Sequence, residues 1–354
     1  MKNYTVGCDA HKRYSQFSVL DWKACIQERR RVEHTSGAIK KYLSRFPDGT
    51  PVALECVGNW YWIVDEIEEA GCRPMLTNAG KAKLMMGNVN KTDKLDADGL
   101  ALLLHNGTLP TVWIPGGELR DLRELPRTRM ALTKQRTAMK NRIHATLAKY
   151  GIRVDSSSDI FVGKGLAALG KELVHLPEET RSCVEQELEL LDQLRDHIQY
   201  LEKRIRKRIR QTKNMQLLKS LPGVGDILAI LIASEFGSVD RFPNAEHFAS
   251  YAGTTPKVKS SGGKTYYGHL RKESNQYLKW AFIEAGNAIV SSCNRPGWRN
   301  KHVVRLYERI RQRKGHGIAV GAVARHLAEA SYWMLRKGET YHEPAHRKTL
   351  PKPG

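Results

Sequence analysis

The chain has 354 residues and carries 58 Lys and Arg against 37 Asp and Glu, a net charge of +21. That length allows two or three domains, and 41% hydrophobic with 27% charged residues excludes a largely disordered chain. No apolar run approaches the roughly 18 residues of a membrane helix; the opening MKNYTVGCDAHK is not expected to be a signal peptide, and six scattered cysteines without a CxxC pair point to a reducing cytoplasm over a disulfide framework or structural zinc.

In chain order, TVGCDA (5–10), SQFSVLDW (15–22) and ACIQERRRVEH (24–34) read as three strands of a meander, the first two joined through HKRY. A helix fits 36–46 and the apolar strand PVALEC fills 51–56. A second helix covers about 60–70, RPMLTN (73–78) is a short strand, and KLDADGLALLLHNG (94–107) is a helix stopped by Asn106-Gly107. A meander followed by strands alternating with helices predicts a mixed α/β sheet for residues 1–112. The run Trp60-Tyr61-Trp62 has two readings, core packing of its helix or stacking on a base or sugar.

Two prolines and two glycines in TLPTVWIPGG (108–117) read as a linker. The chain then turns helical. Leu188, Leu191, Leu194, Ile198, Leu201 and Ile205 recur at mostly three-and-four spacing, the narrow apolar seam of a coiled coil or long helical hairpin. The seam runs into KRIRKRIR (203–210), where Lys203, Arg204, Arg206, Lys207, Arg208 and Arg210 form a basic helix end. Residues 1–112 carry +2 and the remainder +19, a field that attracts a polyanion, most commonly a phosphate backbone. The bland alternative is a solvated surface that aids solubility. A membrane is not an expected partner, because the basic stretches lack an apolar face with a Trp or Phe edge. Residues 113–215 thus read as a basic helical, coiled-coil connector.

LKSLPGVGDILAILIASEFG (218–237) sets a Pro-Gly-Val-Gly turn between helical stretches and resembles a helix-hairpin-helix, in which Gly223 and Gly225 would present backbone N–H groups to a phosphate. Helices follow at 244–252, 274–293, 299–313 and 317–337. Between them TTPKVKSSGGKTYYGHLRK (254–272) reads as a polar loop, with Lys257, Lys264, Arg271 and Lys272 as further phosphate contacts. Residues 216–342 therefore read as a mostly helical C-terminal domain, and 343–354 as a disordered tail.

Four acids stand out by position. Asp9 ends the first apolar strand, Glu55 ends the next internal one, and Asp93 and Asp96 begin a helix three residues apart on one face. Carboxylates at strand ends gather at the carboxyl edge of a sheet, where α/β folds place their sites. Close together they repel unless a divalent cation neutralises them. Hard oxygen donors with no His or Cys nearby select Mg²⁺ or Mn²⁺ over zinc, and two such ions can hold the attacking and leaving oxygens of a phosphodiester. Asp98, two past Asp96, is expected to point elsewhere, into solvent. Each acid alone is more often a cap or surface group, and Asp93 and Asp96 also complement a helix dipole. The four in this order resemble the ribonuclease H-like arrangement.

VGCDAHK (6–12), ALECVGNWYW (53–62) and NKTDKLDADGLA (90–101) resemble the catalytic motifs of the DEDD transposases, insertion-sequence recombinases guided by a bridge RNA. The first domain of that family is similar to the Holliday-junction resolvase fold. The segment LLKSLPGVGDILAILIASEFGSVDRFPNAEHFASYAGTTPKVKSSGG (217–263) resembles the same family's C-terminal transposase domain, so the likeness spans nearly the whole chain. It implies a metal-binding tetrad of Asp9, Glu55, Asp93 and Asp96, with Mg²⁺ or Mn²⁺. It also implies a nucleophilic serine after the YAGxTP motif, where Ser261 before Gly262-Gly263 fits and Ser260 is the neighbouring candidate; the plain reading of this stretch is a flexible hairpin tip. The implied partners are DNA (element ends and target), a structured non-coding guide RNA, and further copies of the chain in a dimer or tetramer, with the helical seam as an interface. The implied location is a prokaryotic cytoplasm, at the nucleoid. The one departure, Cys8 before Asp9, places a small hydrophobe where the family has Ile or Val.

The reading is thus a transposase that cleaves and rejoins DNA through a covalent phosphoserine. Rival readings are a structure-selective, junction-resolvase-like nuclease using the same carboxylates and water, and a non-catalytic nucleic-acid-binding protein. An ATPase of the actin-like branch ranks last, since no Gly-rich phosphate loop is present.

Overall fold

In the computed structural model, which describes residues 3–87, 92–155 and 159–344, the alternating residues of TVGCDA form β1 (Thr5–Ala10) at the centre of a five-stranded sheet. β2 (Tyr14–Leu20) and β3 (Ile26–Glu33) follow antiparallel, as short connections dictate. β4 (Pro51–Glu55) and β5 (Arg73–Thr77) run parallel to β1 on its other side, giving the order β3-β2-β1-β4-β5. Their crossovers hold α1 (Ala38–Leu43) and α2 (Trp60–Glu69). One sheet face and these helices enclose Val6, Cys8, Phe17, Leu54, Ile63 and Ile67, all fully buried. Trp60 and Trp62 pack against the same cluster, so core packing accounts for them.

The opposite face takes α3 (Ala79–Met86) and α4 (Asp93–His105), over Ala53, Ala82, Leu100 and Leu103. α3 was not foreseen, because its apolar residues gather on no single helical face. Gly7 lets α4 lie against the strand: a Cβ there would fall 2.1 Å from the carbonyl oxygen of Ala97. The stretch expected as a linker is tied down. Val112 N–H donates to Leu76 C=O (2.7 Å), and Val112 and Ile114 pack on the core, so this unit runs through Pro115.

The second unit begins at Gly116 with α5 (Gly117–Lys149), α6 (Gly163–Glu172) and α7 (Glu178–Arg208). The ion pairs Arg142–Glu187 and Arg129–Glu202 set α5 antiparallel to α7. Ile143, Leu147, Val184 and Leu191 share one buried cluster, and Leu194, Ile198 and Ile205 are buried farther along. The apolar seam is therefore closed inside the chain as a helical hairpin. Its expected use as an interface between copies is corrected, because α5 already occupies it.

α8 (Lys213–Lys219), α9 (Asp226–Phe236), α10 (Ala245–Tyr251), α11 (Gln276–Ser292), α12 (His302–Lys314) and α13 (His316–Lys337) complete the unit around Leu218, Ile232, Phe248, Phe282 and Leu327. α5 is joined to these helices by a buried knot. The fully buried Glu235 of α9 accepts from Arg127 Nε (2.7 Å) and from Asn275 Nδ2 (2.9 Å), while Arg123 donates to the Ser234 and Glu235 carbonyls. Connector and C-terminal helices accordingly group as one unit.

The polar loop expected over 254–272 is a hairpin of β6 (Pro256–Ser261) and β7 (Lys264–Leu270). Nearly all of its side chains are exposed, so it has no buried face to leave a period-two signal in the sequence. Residues 345–354 of the expected tail, and Asn90 and Lys91 of the third motif, lie outside the described residues. Among the described residues no helix is long and apolar enough to cross a membrane.

Candidate active site

β1 and β4 are parallel neighbours with Cys8 level with Leu54. One residue on, Asp9 and Glu55 stand side by side and face the same side of the sheet. That side is the one α4 covers, since Gly7 shares it with Asp9. Thr92 caps α4 by accepting from the Leu95 N–H (3.3 Å), which fixes where the helix starts and sets Asp93 and Asp96 in its first turn.

His11, in the turn after β1, completes the arrangement. Its Nε2 lies 3.0 Å from Asp9 Oδ2 and 3.2 Å from Asp93 Oδ2. Among the described residues, Asp9, His11 and Asp93 are the group whose ligand atoms all lie within 4.8 Å of one another; Glu55 and Asp96 are not in it. Asp96 is nonetheless close enough to act on Asp9 by charge. Burial pushes the Asp9 carboxyl above its ordinary value; His11 works against this, and the Asp96 and Asp93 carboxylates work with it.

These residues fit a divalent cation. Crowded carboxylates gain from neutralisation, and His11 Nε2 is a buried nitrogen with no well-directed hydrogen bond. The expectation of an all-oxygen set is corrected, however: an imidazole is present, so donor type alone no longer excludes zinc.

Tyr14 donates to Asp93 Oδ2 (2.7 Å), which raises the phenol's pKa, and its ring lies against His11 with centroids 4.6 Å apart. Asn59, at the start of α2, donates to the His11 carbonyl (2.7 Å) and holds the turn. His11 and Tyr14 were missed in the sequence, where the signal was their place in the turn directly after Asp9. Asp98 is corrected too: it accepts from Ser18 (2.6 Å) and pairs with Arg29 (2.7 Å), tying α4 to β2 and β3, and it is not a solvent group. Burial pushes the Cys8 thiol up to about 12, so Cys8 serves as an apolar filler.

In the second unit, the hairpin tip is the Gly262-Gly263 pair, with φ of +57° and +75°. A two-residue turn with both central residues left-handed is the I′ geometry that matches strand twist and favours glycine. Ser260 lies opposite Thr265, with the hydroxyls 3.3 Å apart, and Ser261 lies opposite Lys264. Alternation puts Ser261 on one face with Lys264, Lys259 and Tyr266, and Ser260 on the other. Lys257 is paired with Glu273 (3.4 Å), whereas Arg271 and Lys272 are exposed just beyond β7.

Lys203, Arg204, Arg206, Lys207, Arg208 and Arg210 are all exposed at and beyond the end of α7. Gly223 has another explanation than phosphate contact: at φ +78°, a Cβ would fall 2.3 Å from the Ala285 carbonyl oxygen, so its glycine is needed for packing on α11. Gly225 is exposed, but Asp226 beside it, paired with Lys219 (2.6 Å), already sets a carboxylate at the start of α9.

Two protein families match parts of this chain. The family described as Transposase IS116/IS110/IS902 matches residues 215–303, which include the hairpin tip. A second transposase family, the DEDD type of IS110, matches residues 6–152, which include all four acids. A probable family 20 transposase of Pseudomonas aeruginosa is 24% identical over 96% of this chain and 98% of its own length. The transposase for insertion sequence element IS1111A of Coxiella burnetii is 25% identical over 71% of this chain and 68% of its own. An IS110 element protein of 43.6 kDa from Streptomyces coelicolor is 35% identical over 35% of this chain and 29% of its own length.

Proposed function

Since this chain belongs to the IS116/IS110/IS902 family of transposases, DNA-cleaving and rejoining enzymes that imply use of a divalent metal, we propose that it moves its element through a covalent phosphoserine formed at Ser261. The observation that carries the reading is the convergence of Asp9, Asp93 and His11 at the carboxyl end of β1. Asp9, Asp93, Asp96 and Glu55 would hold Mg²⁺, or Mn²⁺, and a bound divalent cation supplies charge neutralisation at the phosphate undergoing substitution. Ser261 Oγ would form the new bond to phosphorus as the bond to the departing strand's oxygen breaks. That oxygen takes up a proton and leaves as a hydroxyl, matching the proton that Ser261 gives up to a base, so no net proton is gained or lost. The phosphodiester energy is kept in the adduct, so rejoining needs no ATP.

Two features support Ser261 over Ser260. Ser261 shares a hairpin face with Lys259 and Lys264, cations suited to drawing in a phosphate, while Ser260 is engaged with Thr265. The exposed basic residues of 203–210 suit a backbone-tracking role, for DNA or for a structured guide RNA that selects the sites by pairing. Joining two DNAs also calls for a dimer or tetramer, built on a surface other than the closed helical seam.

A second reading rests on His11. An imidazole between two carboxylates is a candidate general base for water, as a hydrolytic nuclease would need. One experiment separates the two. Purified protein, flanking RNA, labelled DNA and Mg²⁺ are run on a denaturing gel, for wild type, Ser261→Ala and Ser260→Ala. A protein–DNA adduct lost only in Ser261→Ala is the expected result. Free cleaved ends with no adduct would establish the hydrolytic reading. Omitting the RNA tests guidance, since unchanged site choice without it would remove the guide.

A further inference from the structure

At the base of the serine hairpin, within the second unit, lies a cavity of about 1060 Å³. Its apolar lining comes from Tyr267 and Leu270 of β7, Ile310 of α12, and Ile318 of α13. Its cations come from the end of α12: Arg309, Arg313 and Lys314. Gly315, His316 and Gly317 also line it, where α13 begins with no side-chain cap on its first N–H groups. Arg325 reaches the cavity as well but is engaged by Glu329 (2.7 Å).

Each half of this lining would be ordinary alone. An apolar floor suits any greasy ligand, and a basic rim suits any polyanion. Together in one hollow they suit an anion that carries a flat apolar group on the same molecule. A base joined to its phosphate has that form, but only when unstacked, because a paired base in a duplex has both faces covered. Tyr267 is 69% exposed in the free chain, so a large ring stands uncovered beside the cations. Such rings serve as stacking platforms for single strands.

We propose that this cavity receives one unpaired nucleotide of a nucleic-acid strand, its base on the apolar floor beside Tyr267 and its phosphate against Arg309, Arg313 and Lys314. Tyr267 lies three residues down β7 from Lys264, roughly 10 Å along the strand from the Ser261 pair. By alternation Tyr267 shares the Ser260 face, opposite Ser261, so a strand that rounds the hairpin edge at the tip reaches the cavity within a few nucleotides. The proposal rests on the chain's acting on nucleic acid, and not on which serine, if any, attacks.

The test is equilibrium binding of full-length protein to three labelled single strands of equal length: oligodeoxythymidine, oligouridine and an abasic backbone. A filled cavity makes at least one base-bearing strand bind about fivefold or more tighter than the abasic one. Tyr267→Ala, at an exposed position, and Ala322→Trp, which fills the hollow, should each bring that ratio to near one while leaving abasic binding unchanged. Arg313→Ala should weaken all three strands. A preference confined to thymidine or to uridine assigns the occupant to DNA or RNA, and a preference for both assigns it to either. Equal binding of all three strands by wild type would overturn the proposal, and so would a preference that survives both cavity variants. No cleavage is read, so a missing serine adduct leaves this result standing, and the reverse holds as well.

Discussion

Gly7 and Ala97 are in direct backbone contact: a Cβ on residue 7 would lie 2.1 Å from the Ala97 carbonyl oxygen and 2.6 Å from the Ala101 amide nitrogen. This contact sets the height of α4 above β1, and with it the approach of Asp93 to Asp9. Gly7→Ala should therefore lift the helix, at about 1–3 kcal/mol of stability, the usual cost of overpacking. Divalent-metal binding should fall more than the melting temperature suggests. Calorimetric titration with Mn²⁺ beside a thermal melt checks this; unchanged metal affinity would show that the contact does not set the site.

Asp9 gives a pH-dependent prediction with a definite sign. Its carboxyl is raised in the folded chain, so the fold binds that proton more tightly than the unfolded chain does. The stabilisation is present at low pH and is lost as pH rises through the carboxylate range, leaving a net cost at neutral pH. Metal-free Asp9→Asn should thus melt a few degrees higher than wild type at pH 7, with the gain vanishing toward pH 3. Adding divalent metal should stabilise wild type more than the variant. A lower melting point for the metal-free variant at pH 7 would contradict the raised carboxyl.

How much of this was visible in the sequence depended on burial. The strands around Val6, Cys8 and Leu54 are buried on both faces of the sheet and read as short apolar runs bounded by turns, so β1, β2, β4 and β5 were legible to within a residue or two. The four acids were legible because strand ends and a helix start carry them. His11 and Tyr14 were not, since their roles come from how a turn folds back on Asp93, a residue far along the chain. Asp98 was misread because its partner Arg29 comes from β3, across the sheet. The β6–β7 hairpin escaped because exposed strands leave no hydrophobic period.

Tyr14 acts on the site through its hydrogen bond to Asp93 and its ring contact with His11. Tyr14→Phe removes the 2.7 Å donor and should lower metal affinity or metal-dependent cleavage about 10–100-fold, as removing a partner that orients a ligand does. Circular dichroism should be unchanged. Full metal affinity in the variant would remove Tyr14 from the site.

Glu235→Gln leaves the guanidinium groups of Arg123 and Arg127 without their shared anion, Arg123 being 6% exposed. Breaking a buried pair from one side costs about 3–5 kcal/mol. The midpoint of urea unfolding should drop accordingly. Because Asn275, the cap of α11, shares that carboxylate, protease cleavage near residues 271–276 should also rise. A variant as stable as wild type would mean the knot is held by its backbone hydrogen bonds.

Replacing Arg204, Arg206 and Arg208 by Glu should weaken nucleic-acid binding and flatten its dependence on salt, by about one unit of slope for each phosphate that the protein no longer neutralises. Binding measured from low to high salt decides it. An unchanged slope would place the interface elsewhere.

The closing of the apolar seam inside one chain has a consequence for distance. The 31 residues of α7 extend about 45 Å, which matches roughly 13 base pairs of duplex along its axis. Braced by α5 and fastened by the Arg142–Glu187 and Arg129–Glu202 pairs, this rod keeps its length without help from a partner. Whatever is held at its two ends is thus kept at a fixed separation. The protein carries its own ruler, graduated before any nucleic acid arrives.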